Sequence, residues 1–282
     1  MSTPFDAERF REHARALTLG RPLVATLQTG STNDDALAAA REGAPHGALF
    51  VTEEQLAGRG RRGNTWLASP GEGLLFSLLL RPALRAERAP ALALLAGLAV
   101  RAAVATLLER AGSSARALVK WPNDVVVVDD KPRKLAGILV ESVVRGAQLG
   151  GVVVGVGLNV GRLGLPSALA ETTTSLELLG VSVTRERLLA DVLDAVEARL
   201  EKLEDPENPL EALVSELACF DALFGSLVRV DDVLGTAAGI DGEGCLKVVD
   251  AAGRTQRIVS GHVTLVPVDE RAVPLDERKA RA

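Results

Sequence analysis

The sequence predicts an α+β protein: a mixed, largely antiparallel sheet flanked by helices, followed by a small barrel-like β domain. Three observations predict it. Helical and extended periodicities alternate through the first two thirds of the 282 residues. From Ala117 to Val156 four strand-like runs succeed one another through connections too short for a parallel βαβ crossover. After Phe224 the texture changes to five short extended runs punctuated by Gly and Asp, which suits a barrel of roughly 45 residues.

In chain order, Asp6 to Leu17 reads as a short helix and Pro22 to Gln28 as a strand. Asn33 to Glu42 is a helix that the preceding Ser31-Thr32-Asn33 cluster can cap. Ala48 to Glu53 and Gly73 to Leu80 are strands separated by a Gly/Arg-rich loop from Leu56 to Trp66. Ala89 to Glu109 is a long Ala-rich helix; Pro90, Gly97 and Arg101 interrupt it, which suits a buried helix better than a membrane span. Strands follow at Ala117 to Lys120, Val125 to Val128, Leu135 to Val144 and Gln148 to Val156, with turns at VDDKPRK and VRGAQLG. Helices at Thr184 to Leu203 and Pro209 to Phe220 flank the segment EDPENP. The final strands are Ser226 to Val230, Thr236 to Ile240, Cys245 to Val249, Thr255 to Val259 and His262 to Val266, before a charged tail.

Composition narrows the function. With 37 acids against 32 Lys plus Arg, the formal charge of -5 argues against a general nucleic-acid binder, whose phosphate partner demands a basic surface. Any anion site must be local. The two cysteines, Cys219 and Cys245, lack metal-ligand spacing and make no disulfide framework, which fits a reducing cytoplasm. The charged first residues are no signal peptide, so no export and no membrane partner are expected.

Four segments carry chemistry. Gly58-Arg59-Gly60-Arg61-Arg62-Gly63-Asn64-Thr65-Trp66 alternates glycine with arginine between two strands: a mobile backbone that can approach a ligand, with guanidinium forks for phosphate or carboxylate. Taken alone, it reads equally as a solvated basic loop or a nucleic-acid patch. Lys120-Trp121-Pro122-Asn123-Asp124 has the residues of a turn, and by local chemistry the turn reading wins over a role for the carboxylate near a metal-bound triphosphate. Lys134 opens the apolar run LAGILVE; such a lysine usually snorkels, but desolvation beside phosphate can make it an electrostatic catalyst. Gly155-Val156-Gly157-Leu158-Asn159 ends a strand with small residues that admit another backbone or a planar ligand.

In series, STN at 31–33, GRGRRGNTW at 58–66, KWPNDV at 120–125, KLAGILVE at 134–141 and GVGLN at 155–159 resemble the biotin protein ligases, over about residues 22–266. The resemblance implies a catalytic domain, residues 1–223, with a fold like class II aminoacyl-tRNA synthetases. It also implies an SH3-like domain, residues 224–268, carried by GTAAGIDGEGCLKV and SGHVTLVP, and a charged tail, residues 269–282. The implied activity is ATP-dependent conversion of biotin to biotinyl-5'-AMP, with Mg2+, and transfer to one lysine of a biotin carboxyl carrier protein.

By the same resemblance Lys134, Arg61 and Arg59 are catalytic, and biotin contacts Ser31, Thr32, Asn33, Gln55, Arg59, Gly60, Arg61 and Lys134. Arg61, Arg62, Trp66, Asn123, Asp124 and Asn159 hold ATP or the adenylate, and no residue is assigned as a metal ligand. The Gly/Arg loop is the implied lid over the labile anhydride. Asn64, Gly161 and His262 depart from the commonest pattern. Only about 20 residues precede the first matching strand, far below an independent DNA-reading domain, so a monofunctional ligase is expected, without nucleic acid as partner; a homodimer is compatible with it. The alternatives are a lipoate or octanoate ligase, and a non-catalytic sensor of biotinyl-AMP.

Overall fold

A computed structural model of the chain describes residues 4–82, 89–145, 148–162, 164, 167–203 and 211–266. The chain divides into two compact units that meet at Ala222 and Leu223. In the first, seven strands form one sheet of order β1-β2-β3-β7-β6-β5-β4. They are β1 (Leu23–Thr29), β2 (Leu49–Gln55), β3 (Gly73–Leu80), β4 (Arg116–Lys120), β5 (Asp124–Val128), β6 (Pro132–Arg145) and β7 (Gln148–Asn159). Only β1 and β2 run parallel, and the helix between them, α2 (Thr32–Arg41), is the crossover this requires. Every other neighbouring pair is antiparallel.

Strand character follows position. β3, read as GLLFSLLL, lies mid-sheet and is buried along its whole length, as a continuous apolar run requires. β1 is the edge and is largely exposed. Below α2, Ala36 and Ala40 pack with Phe50, Leu79, Val143 and Val153, small helix residues letting the helix lie close to the sheet. The long helix α3 (Ala91–Arg110) is buried from Ala91 to Val100 and packs on β4, β6 and α5 (Arg185–Leu203). It is long and apolar enough to cross a membrane, but its apolar surface is covered by the sheet and α5. A four-residue helix, α4 (Ser167–Ala170), precedes α5, and α6 (Glu211–Phe220) follows it. The expected helix start at Pro209, the EDPENP segment, the centre of the VRGAQLG turn and the charged tail lie outside the described residues.

The first helix is shorter than its sequence suggests. Asp6 caps α1 (Ala7–His13) by accepting from Glu8 N and Arg9 N. Beyond it, acids on α5 take the next backbone amides: Arg15 N and Ala16 N donate to Asp194 Oδ1, and Leu17 N and Thr18 N to Glu197. Partners from another helix replace the intrahelical ones, so the chain leaves the helix. A buried ion pair between Arg185 Nη1 and Glu53 Oε2, 2.7 Å, joins α5 to β2, and Glu53 also accepts from Phe5 N.

In the second unit, β8 (Leu227–Val230), β9 (Val233–Ile240), β10 (Leu246–Val249), β11 (Thr255–Ile258) and β12 (Val263–Leu265) form an antiparallel sheet of order β11-β10-β9-β8-β12. Its turns are set by aspartates: Asp241 Oδ1 accepts from Glu243 N and Cys245 N, and Asp250 Oδ1 from Ala252 N and Arg254 N.

Candidate active site

Three glycines on two strands define the floor of the site. Gly137 of β6 lies opposite Gly157 of β7, and Gly155 is two residues back on the same face. A Cβ at Gly157 would run into the Trp66 indole, and one at Gly155 into the Asn33 amide. A Cβ at Gly137 would sit 2.9 Å from Trp66 Cζ3 and 3.2 Å from Lys134 Nζ. The glycines thus seat side chains of this chain, Trp66, Asn33 and Lys134, rather than the bare backbone or ligand suggested by their spacing. One sheet face gathers them all.

The N-terminus of α2 enters this face through a buried polar network. Ser31 occupies the cap position without a capping bond from its side chain; Gln55 Oε1, from the end of β2, accepts instead from Thr32 N at 2.9 Å and Thr32 Oγ1 at 3.2 Å. The capping expected of the Ser-Thr-Asn cluster is therefore supplied from a neighbouring strand. Ser77, fully buried in β3, lies 2.7 Å from Thr32 Oγ1 and donates to Asn33 Oδ1 at 2.6 Å. Asn33 Nδ2 donates to Glu141 Oε2 at 2.7 Å. Both ends of the Asn33 amide are engaged, which orients it.

The Gly/Arg segment is folded rather than open. Gly60 N donates to Asn64 O at 2.7 Å and Trp66 N to Gly58 O at 3.0 Å, so two short arms pair around a tight turn at Arg61–Gly63. Arg62 takes the left-handed conformation, φ 57°. Arg59 Nη2 reaches Asp34 Oδ1 at 2.6 Å and Glu141 Oε2 at 3.0 Å. Burial holds the Arg61 guanidinium below its usual range, opposed by nearby Asp124.

Beside the indole, Lys134 Nζ pairs with Asp124 Oδ1 at 2.8 Å and lies 5.4 Å from the Trp66 ring centre. A register shift between β5 and β6 permits this. Asp124 stands opposite Gly137, but two residues on, Val126 stands opposite Lys134, so Leu135 is bulged and Lys134 turns back. Only part of KWPND is turn: Asp124 begins β5, and Asn123 is fastened to β6 by Asn123 Nδ2 to Ile138 O, 2.7 Å, and Ile138 N to Asn123 O, 2.8 Å. Lys120 also faces this carboxylate; burial lowers its pKa, with Asp124 opposing and Lys134 reinforcing the shift. The Trp66 indole N–H is buried and has no acceptor among the described residues. Asn159 is elsewhere engaged, donating from Nδ2 to Thr174 O at 3.0 Å in a strap whose backbone also bonds both sides of Lys134.

Of the sequence-assigned residues, Lys134, Asp124 and Trp66 meet directly, Arg61 lies within electrostatic reach of Asp124, and Arg59 reaches Asn33 through Glu141. Asn123 and Asn159 brace backbone at the margin. Ser77, Asp34, Lys120 and Glu141 have no role in the sequence reading. Ser77 leaves a signal, a lone hydroxyl in an apolar strand, whereas Glu141 is the end of a motif already singled out. Gly161, one of the departures from the family pattern, packs against Glu72, where a Cβ would collide with the carboxylate. Among the described residues no three His, Cys, Asp or Glu side chains group as a metal site.

The profile of the biotin/lipoate A/B protein ligase family matches residues 27–159. The chain is 37% identical over 269 residues to a biotin–[acetyl-CoA-carboxylase] ligase of Mycobacterium tuberculosis, covering 92% of this chain and 95% of the relative. It is 31% identical over 255 residues to the bifunctional ligase/repressor BirA of Bacillus subtilis, covering 88% and 75% respectively. The fold is that of the Aquifex aeolicus biotin protein ligase solved with biotin and ATP, with a TM-score of 0.71 at 24% identity over 88% of this chain and all of the other.

Proposed function

This chain belongs to the biotin/lipoate A/B protein ligase family, and from that premise we propose that it activates biotin with ATP to biotinyl-5'-AMP and transfers the biotinyl group to a lysine of a biotin carboxyl carrier protein. The observation that carries this reading is the convergence of Lys134, Asp124, Trp66 and the 58–66 arm on one glycine-floored sheet face. A biotin carboxylate oxygen attacks the α-phosphorus of ATP, a P–O bond forms, and the bond to the bridging oxygen breaks as pyrophosphate leaves with its electron pair. The carrier lysine, as a free amine, then attacks the acyl carbon, AMP leaves, and the nitrogen gives up its proton.

The obstacle in the first step is two anions brought together, so cations held in place before the ligands arrive lower the barrier most. Lys134 is such a cation: Asp124 fixes its ammonium, and the strap from Thr172 to Thr174 fixes its backbone. Arg61 and Arg62 supply further charge from the tight turn, and Gly60 lets their backbone come near the ligand. The indole N–H of Trp66 offers an unused donor. Ser31, Thr32, Asn33 and Gln55 present the polar end of the biotin slot. Mg2+ bound to the nucleotide would supply charge neutralisation of the triphosphate. The second unit, on this reading, is an SH3-like barrel. Free Cys219 and Cys245 accord with the cytoplasm, where the carboxylases would be met.

Purified protein with biotin and MgATP should yield biotinyl-AMP by mass spectrometry and catalyse biotin-dependent ATP–pyrophosphate exchange that chelation abolishes. Exchange with lipoate or octanoate, but not with biotin, would instead assign the chain to the other branch of its family. No exchange with any of them would leave a sensor without catalysis.

A further inference from the structure

We infer that Glu141 is a positioning residue that registers the 58–66 arm on the strand carrying Lys134. Glu141 Oε2 alone takes two donors, Asn33 Nδ2 at 2.7 Å and Arg59 Nη2 at 3.0 Å. It lies on β6 and, four residues from Gly137, shares the face on which the Trp66 indole rests. One carboxylate oxygen thereby links the α2 N-terminus, the Gly/Arg arm and the Lys134 strand.

Two acids contact Arg59, and their surroundings decide which one positions it. Asp34 has a side chain 58% exposed, so its 2.6 Å contact is screened by water and contributes little order. Glu141 is 27% exposed, and its partner Asn33 is buried and held from behind by Ser77. A charged bond backed by a satisfied, oriented amide keeps its geometry far better than an open surface pair. Because Arg59 and Thr65 pair across the arm, and Trp66 N bonds Gly58 O, a fixed Arg59 fixes the base of the whole arm. Glu141 bonds Asn33 and Arg59, and it acts on the arm through Arg59.

The consequence for catalysis rests on the biotinyl-AMP reading, but the placement itself does not, and the test separates them. Glu141→Gln keeps an oxygen acceptor for Asn33 and removes the charge that holds Arg59. Hydrogen exchange on the ligand-free protein should show the amides of Gly60, Asn64 and Trp66 losing protection about fivefold, with the α2 amides unchanged. Arg59→Gln, at a surface position that leaves the fold secure, should give the same loosening, and the double variant should add nothing further. Asp34→Asn should change these amides less than about twofold.

With ligands, Glu141→Gln should speed biotinyl-AMP dissociation by more than it slows adenylate formation. Unchanged exchange at 58–66 in both Glu141→Gln and Arg59→Gln, loss spread over α2 and the sheet, or a larger effect from Asp34→Asn would overturn the assignment. Wild-type protein that makes no biotinyl-AMP while the exchange pattern holds would remove the functional reading and leave the placement of Glu141 standing.

Discussion

On the proposed activity, Lys134 is the side chain on which the chemistry should depend most. Its ammonium is neither deeply buried nor free: it is 37% exposed, paired to Asp124 and beside the Trp66 ring. Loss of one preorganised charge of this kind lowers a rate by about 10²–10³-fold, by analogy with an oxyanion-hole donor. Lys134→Ala should therefore fold normally and lose adenylate formation on that scale, whereas Lys131→Ala, exposed in the preceding turn, should stay within about twofold. Pyrophosphate release at saturating biotin and ATP measures both; equal mild effects, or a greater loss at Lys131, would mean a different catalytic lysine. The candidacy of Lys134 is legible in the sequence, as a cation at the start of an apolar strand. Its pairing with Asp124 is not, because that depends on the bulge at Leu135, and a register shift leaves no trace in residue type.

Among the elements, the β6–β7 hairpin contributes the flat floor, and its glycines are needed for what lies above them. Gly157→Ala would drive a methyl group into the Trp66 indole, so the ring must lift or the strand must shift. Overpacking of this kind costs about 1–3 kcal/mol. A lowered Tm together with altered Trp66 fluorescence is the expected result; an unchanged emission spectrum and Tm would show that the indole does not rest there. Local pattern located nearly every strand and helix because their periods are written in neighbouring residues. It failed where distant partners intervene: α1 stops early because α5 acids take its next amides, and Gln55, not Ser31, caps α2. The glycines of 155–157 announced a close approach, but only the fold reveals that Asn33 and Trp66 make it.

At the scale of the first unit, the sheet is two blocks contiguous in sequence, β1-β2-β3 and β4-β5-β6-β7, joined by the single ladder between β3 and β7. The contacts of Trp66 with Gly157, Asn33 with Gly155 and Arg59 with Glu141 all cross that seam. A ladder between strands so far apart in the chain closes a long loop, and such pairings form slowly and late. The site is therefore absent from each half alone and comes into being with the final closure. Ligands that bind across the seam have nothing to grip before the folding barrier is crossed, so biotin with ATP should retard the unfolding limb of a chevron plot and leave the refolding limb nearly unmoved. Acceleration of refolding by the ligands would place the seam on the early side of the barrier. The feature that gathers the proposed catalytic side chains should thus also make the loaded enzyme slow to come apart, a kinetic persistence conferred by its own substrates.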